Sequence, residues 1–265
     1  MGKIFEQLLK SRLEFYLEKN SLLPSNQFGF RRRKSSRESI AFLHLDIFKA
    51  MENKEVIFSI FFDIVGAFNN VNLHVLAAES RSLAIPEKIV KWIFNFIHER
   101  RVFAKVNNNN NTIIGPRLSY KGVCQGGILS PHIFILYIFK LNNNLGSNVT
   151  NLLYADDLVI YASGTNVKNL VTTLNEALKK LHIYFSYLNL DISTEKSKVV
   201  IFNIIRPFNT RIIYNNTFLP IESCAKFLGV IFTNNLSWTK YVNSISDRAS
   251  KAFNVLKKEL IQKYY

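Results

Sequence analysis

Cysteine is scarce in this chain, and no apolar run is long enough to span a membrane. The two cysteines, Cys124 and Cys224, lie far apart in sequence, so we expect neither a disulfide framework nor a zinc site. The amino-terminal residues lack the apolar core of a signal peptide, and charges interrupt the longest apolar runs. These absences predict an intracellular protein, nuclear or cytoplasmic, with no membrane partner.

Acidic residues are also few. The 265 residues include 19 Asp plus Glu against 34 Lys plus Arg, a formal net charge of +15. This balance favours a polyanionic partner, most often nucleic acid, about as strongly as it favours a basic protein that binds none. Hydrophobic residues make up 48% of the chain, which is enough for a packed interior. No linker rich in proline and glycine divides the sequence, which predicts one large domain or two subdomains sharing a core.

Apolar periodicity predicts a mixture of helices and short strands. Helices are expected at residues 3–19, after the capping box of Ser35 and Glu38, from Pro86 to about His98, from Pro131, near 166–188, and from Trp238 onward. Strands are expected at 56–62, within 101–119 around an exposed, mobile loop at Asn107–Asn111, at 151–162, and in short pieces through 232. Residues 56–62 are apolar throughout, so that strand should be buried on both faces.

Three aspartates stand at the ends of these predicted strands. Asp63 follows the apolar run at 56–62, and Asp156 and Asp157 lie between two apolar runs. A carboxylate at the end of a buried strand is costly, and adjacent carboxylates repel, unless a cation compensates them. Magnesium binds a few carboxylates and leaves positions for water and phosphates. Each element alone is equally well explained as a strand terminator or a hairpin turn.

The order of the motifs favours the catalytic interpretation. Six motifs follow one another along the chain: QFGFR (27–31), FFDIVGAF (61–68), QGGILSP (125–131), YADD (154–157), EKSK (195–198) and FLGV (227–230). Over nearly its whole length the chain resembles the reverse transcriptase domain of non-LTR (LINE-like) retrotransposons. YADD preceded by a QG-x-LSP motif carries most of this resemblance, and QFGFR before FxDxxxAF distinguishes it from retroviral enzymes.

The resemblance implies an α+β, right-hand polymerase fold with an antiparallel palm sheet flanked by helices. Residues 1–55 and 72–120 would form fingers and their connections to the palm. Residues 56–71 and 121–235 would form the palm. Residues 236–265 would begin a thumb, so the chain would start inside the fingers and end early in the thumb. We expect the thumb helix to dock through a stripe formed by Tyr241, Ile245, Ala249, Ala252, Val255 and Leu256.

The implied activity is RNA-directed DNA synthesis with two magnesium ions, or manganese in their place. Asp63, Asp156 and Asp157 would be the catalytic carboxylates and metal ligands. Phe68 would lie under the sugar of the incoming deoxynucleotide and exclude a 2′-hydroxyl, although an ordinary core phenylalanine is the alternative. The implied partners are an RNA template, a DNA primer and deoxynucleoside triphosphates, and the sequence indicates no oligomeric state.

Further residues receive roles from the same resemblance. Gln125 and Gly126 would touch the nascent base pair, although they could instead belong to an ordinary loop before the next helix. Lys196 would approach the triphosphate, although a solvated surface lysine is the alternative. Arg31 would grip the triphosphate, because guanidinium groups suit phosphate oxygens. The remaining basic residues would contact template phosphates or be solvated, namely Arg32, Arg33, Lys34, Arg37, Arg101 and Lys105.

Three positions depart from the family pattern. Asn69 stands where most relatives have a second aspartate, Cys124 replaces a usual proline, and Gly127 replaces a common serine. None of them removes a proposed metal ligand. Two other functions therefore stay open, a catalytically silent nucleic-acid-binding remnant and an RNA-binding protein similar to intron maturases. Retention of all three aspartates favours the polymerase.

Overall fold

The computed structural model describes residues 2–106, 113–203 and 210–264. Its helices are α1 (Gly2–Lys19), α2 (Ser36–Glu52), α3 (Leu73–Ser82), α4 (Glu87–Ile97), α5 (Ser130–Tyr137), α6 (Leu141–Leu145), α7 (Val167–Tyr187) and α8 (Thr239–Tyr264). Its strands are β1 (Val56–Phe62), β2 (Ile64–Val65), β3 (Arg100–Lys105), β4 (Ile113–Ser119), β5 (Thr150–Tyr154), β6 (Asp157–Gly164), β7 (Asp191–Ile192), β8 (Lys198–Phe202), β9 (Ile213–Tyr214), β10 (Thr217–Phe218), β11 (Cys224–Phe227) and β12 (Val230–Thr233). The predicted mixed α and β composition is observed.

A four-stranded antiparallel sheet lies at the centre of the molecule. Its strand order is β5-β6-β1-β8, so β1 has a neighbour on each side. Ile60 pairs with Ile160 of β6 and with Val199 of β8. Residues 57–61 of β1 therefore pair with a strand on each side, whereas Val56 and Phe62 pair with β6 alone.

Both faces of this sheet are buried, as the continuous apolar run predicted. Phe58, Ile60 and Phe62 point into the larger core, which also takes apolar side chains from α1, α3, α4, α5 and α7. Ile57 and Phe61 point into the second core, which includes residues of α2, β11 and β12. The two sets alternate along β1 because successive side chains of a strand point to opposite faces.

Most predicted elements are found within a few residues of their expected ends. The capping box is complete, since Ser35 Oγ accepts from the backbone N–H of Glu38 and the Glu38 side chain accepts from that of Ser35. Helices α3 and α6 were not anticipated, because each is short and buries only part of one face. The loop expected at Asn107–Asn111 lies outside the described residues.

The expectation for the carboxy-terminal helix is wrong over most of its described length. Trp238 packs on the body, with ring centroids 5.3 Å from His44 and 6.0 Å from Phe232. Beyond this point, residues 245–259 are all exposed, so the apolar stripe is not docked. The helix leaves the body at its first turn, and a straight helix cannot return to it. None of the described helices is both long and apolar enough to span a bilayer.

Candidate active site

Asp63 is the first residue after β1, where the buried strand reaches the surface. Its backbone N–H donates to Ser197 Oγ at 3.2 Å, and its carbonyl accepts from the N–H of Ser193 at 2.9 Å. These two bonds attach the end of β1 to the segment that carries EKSK. Asp63 is thereby held at a fixed place while its carboxylate stays about half exposed, at 47%.

Asp156 and Asp157 occupy the tight turn between β5 and β6. Ala155 adopts the left-handed conformation with φ +59°, and Tyr154 pairs with Asp157 across the hairpin. In the neighbouring ladder, Phe62 of β1 pairs with Leu158 of β6. The next position of that register sets Asp63 beside Asp157, so the sheet brings together carboxylates that are 94 residues apart.

The electrostatics of this site are those of crowded carboxylates beside cations. Partial burial raises the pKa of Asp157 above its ordinary value, and the negative charges of Asp156 and Asp63 raise it further. The positive charge of Lys226 acts in the opposite direction on that pKa. Lys196 lies on the other side, with Nζ 3.9 Å from Asp63 Oδ2. The site therefore gathers negative charge that its own lysines offset only in part.

The aspartates suit a hard divalent cation. Across the residues described, no group of three or more His, Cys, Asp or Glu side chains would by itself hold a metal ion. Magnesium differs from zinc in this respect, because it commonly takes one or two carboxylates and completes its shell with water and substrate phosphates. The mutual repulsion recorded in the raised pKa of Asp157 is the property that such a cation would relieve.

The segment carrying QFGFR supports this turn from behind. Phe28 N–H donates to the Leu153 carbonyl at 2.8 Å, and Gln27 forms a parallel bridge with Leu153. Gly29 lies against the turn so closely that an added Cβ would stand 2.4 Å from the nitrogen of Ala155. The motif thus positions the hairpin that carries Asp156 and Asp157, a role that the sequence alone did not reveal.

Phe68 and the loop carrying Gln125 lie side by side. Val123 N–H donates to the Phe68 carbonyl at 2.7 Å, and Gly122 packs against the backbone of Asn69. The Phe68 ring is half-buried and stacks on Phe134, with centroids 4.9 Å apart. Gln125 and Gly126, by contrast, are exposed at the tip of their loop.

Two side chains from outside the predicted site fix that loop. Arg100 donates to Cys124 Sγ at 2.8 Å and to the carbonyls of Lys121 and Gly122 at 2.9 and 2.8 Å. On the other side, Glu6 Oε2 accepts from the backbone N–H of Ile128 at 2.9 Å and of Leu129 at 3.3 Å. The loop is therefore tied at both ends, which leaves only its tip free to meet a ligand.

The predicted basic cluster divides into two groups. Arg31 forms a bidentate pair with Glu18, at 2.8 and 2.7 Å, donates to the Pro24 carbonyl, and keeps only 11% of its side chain exposed. Lys34 donates to the Ser25 carbonyl and lies over the Phe28 ring. These contacts leave Arg31 poorly available to a triphosphate, so we omit it from the substrate site. The exposed members are Arg32, Arg33, Arg37, Arg101 and Lys105.

Lys226 and Gly29 were not anticipated from the sequence as parts of the site, and Arg100, for which the sequence predicted phosphate contacts, bonds instead to the loop of Cys124. Lys226 belongs to β11, and its charge acts on Asp157 only because the tertiary fold brings β11 near the hairpin. Gly29 lies within QFGFR, between two phenylalanines. A glycine at such a position is the only feature of the sequence that indicates a close approach of two backbone segments. Nothing in the sequence indicated that Arg100 bonds to the loop of Cys124, because it looks like any cation between a helix and a strand.

Comparisons with known proteins agree with this geometry. Residues 1–232 match the family described as reverse transcriptase (RNA-dependent DNA polymerase). A probable RNA-directed DNA polymerase from transposon BS of Drosophila melanogaster is 24% identical over 97% of the chain and 29% of its own length. The RNA-directed DNA polymerase from mobile element jockey of Drosophila funebris is 26% identical over 92% of the chain and 27% of its own length. The chain thus spans less than a third of these relatives.

Solved structures show the same fold. Telomerase from Candida albicans, in complex with a TWJ fragment of telomeric RNA, superposes with a TM-score of 0.57 at 15% identity, over 87% of this chain and 37% of that one. Apo telomerase from Candida tropicalis gives a TM-score of 0.54 at 14% identity, over 88% and 39% of the two chains. The predicted right-hand polymerase fold and the resemblance to mobile-element enzymes are confirmed. The chain belongs to the reverse transcriptase (RNA-dependent DNA polymerase) family, and its relatives are the polymerases of LINE-like mobile elements.

Proposed function

We propose that this chain is the catalytic core of an RNA-directed DNA polymerase, adding deoxynucleotides to a primer 3′-hydroxyl and releasing pyrophosphate. The observation that carries the proposal is the meeting of Asp63, Asp156 and Asp157 at the end of the central sheet, with Lys196 Nζ 3.9 Å from Asp63. The family match over residues 1–232 supports the same activity.

Asp63, Asp156 and Asp157 would hold the catalytic cations, magnesium or in its place manganese. When bound, a pair of such ions activates the attacking hydroxyl and stabilises the leaving oxygen of an in-line displacement. The bonds from Ser193 and Ser197 keep the end of β1 in register with the hairpin. Lys196 would donate to a triphosphate oxygen, and its exposed ammonium group beside Asp63 supports this role.

Phe68, Gln125 and Gly126 would form the pocket for the incoming deoxynucleotide. Phe68 is braced by Phe134, so its ring cannot easily retreat from a sugar carrying a 2′-hydroxyl. Gly126 has φ +82° and nothing within 4 Å of an added Cβ, which leaves its backbone open to a close ligand. These features support selection of deoxynucleotides at this position.

The nucleic-acid partners would be an RNA template and a DNA primer. Arg32, Arg33, Arg37, Arg101 and Lys105 are exposed and suited to phosphate contacts, which position a duplex without reading its sequence. In this proposal residues 56–71 and 121–235 form the palm, residues 1–55 and 72–120 the fingers and their connections, and residues 236–265 the start of the thumb. An intracellular site of action, in nucleus or cytoplasm, follows from such substrates.

Primer extension tests the proposal. The assay supplies an annealed RNA template and DNA primer, deoxynucleotides and magnesium. We expect extension by the chain, and we expect Asp156→Asn to reduce its rate by roughly 100-fold or more, because a neutral amide cannot replace a charge-bearing catalytic ligand. Binding of the primer–template should persist, since Asp156 contributes no positive charge.

Asp247→Asn is the matched control, because it neutralises an exposed aspartate of α8. It should extend at the rate of the unaltered chain. Failure of the unaltered chain to extend any primer with magnesium or manganese, while still binding primer–template, would support the silent-remnant function instead. Extension by Asp156→Asn at the normal rate would remove the aspartate from its proposed role.

A further inference from the structure

Strands β3 and β4 form a ribbon that is exposed on both faces. Within the described ranges the two strands pair only with each other. Residues 101–106 and 113–118 are all exposed, and they include Phe103 at 56% and Ile113 at 67%. A two-stranded hairpin that buries neither face is marginally stable in water. Such a ribbon gains stability if a partner covers its apolar side chains.

The charges of the ribbon point to the class of that partner. Arg101, Lys105 and Arg117 lie on the two strands and Lys121 is the second residue after β4, whereas neither strand contains an acidic residue. The register sets Arg101 opposite Leu118 and Val102 opposite Arg117. Cross-strand partners share a face, so each face places a cation beside an apolar side chain. Cations beside apolar side chains suit nucleic acid, in which phosphates alternate with bases that can stack. An acidic protein surface would pair with the cations but would offer no bases to cover the apolar side chains.

The ribbon is fixed next to the proposed nucleotide pocket. Arg100, its first residue, binds the carbonyls of Lys121 and Gly122 and the sulfur of Cys124. Gln125 follows directly on that loop. A strand lying on the ribbon would therefore pass from its exposed surface toward Gln125.

We propose that the β3–β4 ribbon binds a single-stranded segment of nucleic acid, with a base stacked on Phe103 and phosphates paired with Arg101 and Lys105, which lie on the same face of β3 as Phe103. Bases in a duplex are already stacked on one another and present no free face to an aromatic ring, whereas those of a single strand do. The identification of this segment as template ahead of the pocket rests on the proposed polymerase function. The binding of a single strand does not depend on it.

Equilibrium binding separates stacking from charge. The full chain is titrated into a labelled oligouridine of twelve nucleotides and into a twelve-unit abasic strand of equal charge, and fluorescence anisotropy is recorded. Phe103→Ala should weaken oligouridine binding about fivefold or more and leave abasic binding unchanged, because it removes one stacking surface. Arg101→Ala with Lys105→Ala should weaken both, and should lower the slope of log affinity against log salt by about one to two.

Two control variants are matched for exposure and chemistry. Phe15→Ala removes a phenylalanine of α1 that is 65% exposed, and Lys168→Ala with Lys179→Ala removes two exposed cations of α7. Neither should change oligouridine affinity as the ribbon variants do. Since every altered side chain is exposed, all variants should fold, and thermal melting checks this.

Three outcomes would overturn the inference. The first is oligouridine binding by Phe103→Ala at full affinity. The second is an equal loss for oligouridine and a blunt RNA duplex, which would indicate duplex binding. The third is a change of oligomeric state in the ribbon variants, which would assign the surface to a second copy of the chain. If the unaltered chain extends primers but the ribbon variants bind oligouridine with full affinity, only this inference is removed. If the ribbon variants lose single-strand binding as expected but the unaltered chain does not extend primers, only the polymerase proposal is removed.

Discussion

At the scale of single residues, Phe68 combines a structural and a proposed selective role. It is half-buried, stacks on Phe134, and has its carbonyl bonded to the loop that carries Gln125. A ring held on one side by the core can act as a rigid wall on the other.

Replacing Phe68 by valine should relax discrimination against ribonucleotides. The smaller side chain makes room for a 2′-hydroxyl, so the ratio of kcat/KM for a ribonucleotide to that for its deoxynucleotide should rise about tenfold or more. The measurement is single-nucleotide extension with each substrate. Phe94→Val, a half-buried phenylalanine packed against the same core, controls for general loosening. An unchanged ratio in Phe68→Val would leave the residue a structural role only.

Among the elements, the β5–β6 hairpin that carries Asp156 and Asp157 depends on a neighbour that is distant in sequence. Residues 26–28 bond to β5, and Gly29 packs on the turn itself. The turn already holds Ala155 in the left-handed region, which is unfavourable for a residue with a side chain. Packing by the QFGFR segment therefore helps to keep Asp156 and Asp157 where Asp63 can meet them.

Gly29→Ala should impair catalysis through this contact. Its Cβ would stand 2.4 Å from Ala155 nitrogen and 3.0 Å from the Tyr154 carbonyl carbon, and backbone atoms can yield only if the turn moves. A shift of about an ångström in catalytic groups costs on the order of 100-fold in rate. The expected result is a lower kcat with little change in primer–template affinity.

Gly164→Ala provides the comparison for that measurement. Gly164 ends β6, and an added Cβ there meets nothing within 4 Å. It should extend primers normally. If Gly29→Ala matches Gly164→Ala in kcat, the contact with the turn has no catalytic consequence.

At the scale of the whole molecule, stability should depend on pH through a buried histidine. His132 of α5 is 5% exposed, and neither ring nitrogen has a hydrogen-bond partner among the described residues. Burial, with a smaller contribution from Lys10, lowers the pKa of His132 to about 4. The unfolded chain, with an ordinary pKa near 6.5, therefore binds a proton that the folded chain does not.

The sign of the effect follows from this difference. Stability is greatest above pH 6.5 and falls as the pH drops toward 4, because protons then favour the unfolded state. From pH 7 to pH 5 the contribution of His132 to the free energy of unfolding should fall by about 2 kcal/mol. Urea unfolding of the chain and of His132→Leu at both values isolates this contribution. An equal pH dependence in both proteins would show that His132 does not carry it.

The class of fold, the order of most elements and the identity of the three candidate aspartates could be predicted from the amino-acid sequence. Local signals were strong at these places: an uninterrupted apolar run before Asp63, apolar runs flanking Asp156 and Asp157, and a capping box at Ser35. Each of these signals depends on residues that are close together in the chain, so it is visible in the amino-acid sequence. The order of the motifs also indicated the family, because proteins that share a fold keep the same motifs in the same order along the chain.

Only the tertiary structure decided which of the other predicted residues are available. Arg31 matched a phosphate-gripping position in sequence, yet Glu18 lies within 2.7 Å of it and occupies its guanidinium group. Lys226 joins the site because β11 packs near the end of the central sheet, and the stripe of α8 stays exposed because the helix leaves the body after Trp238. These outcomes depend on contacts between residues far apart in the chain, and no local pattern specifies which distant atoms will meet.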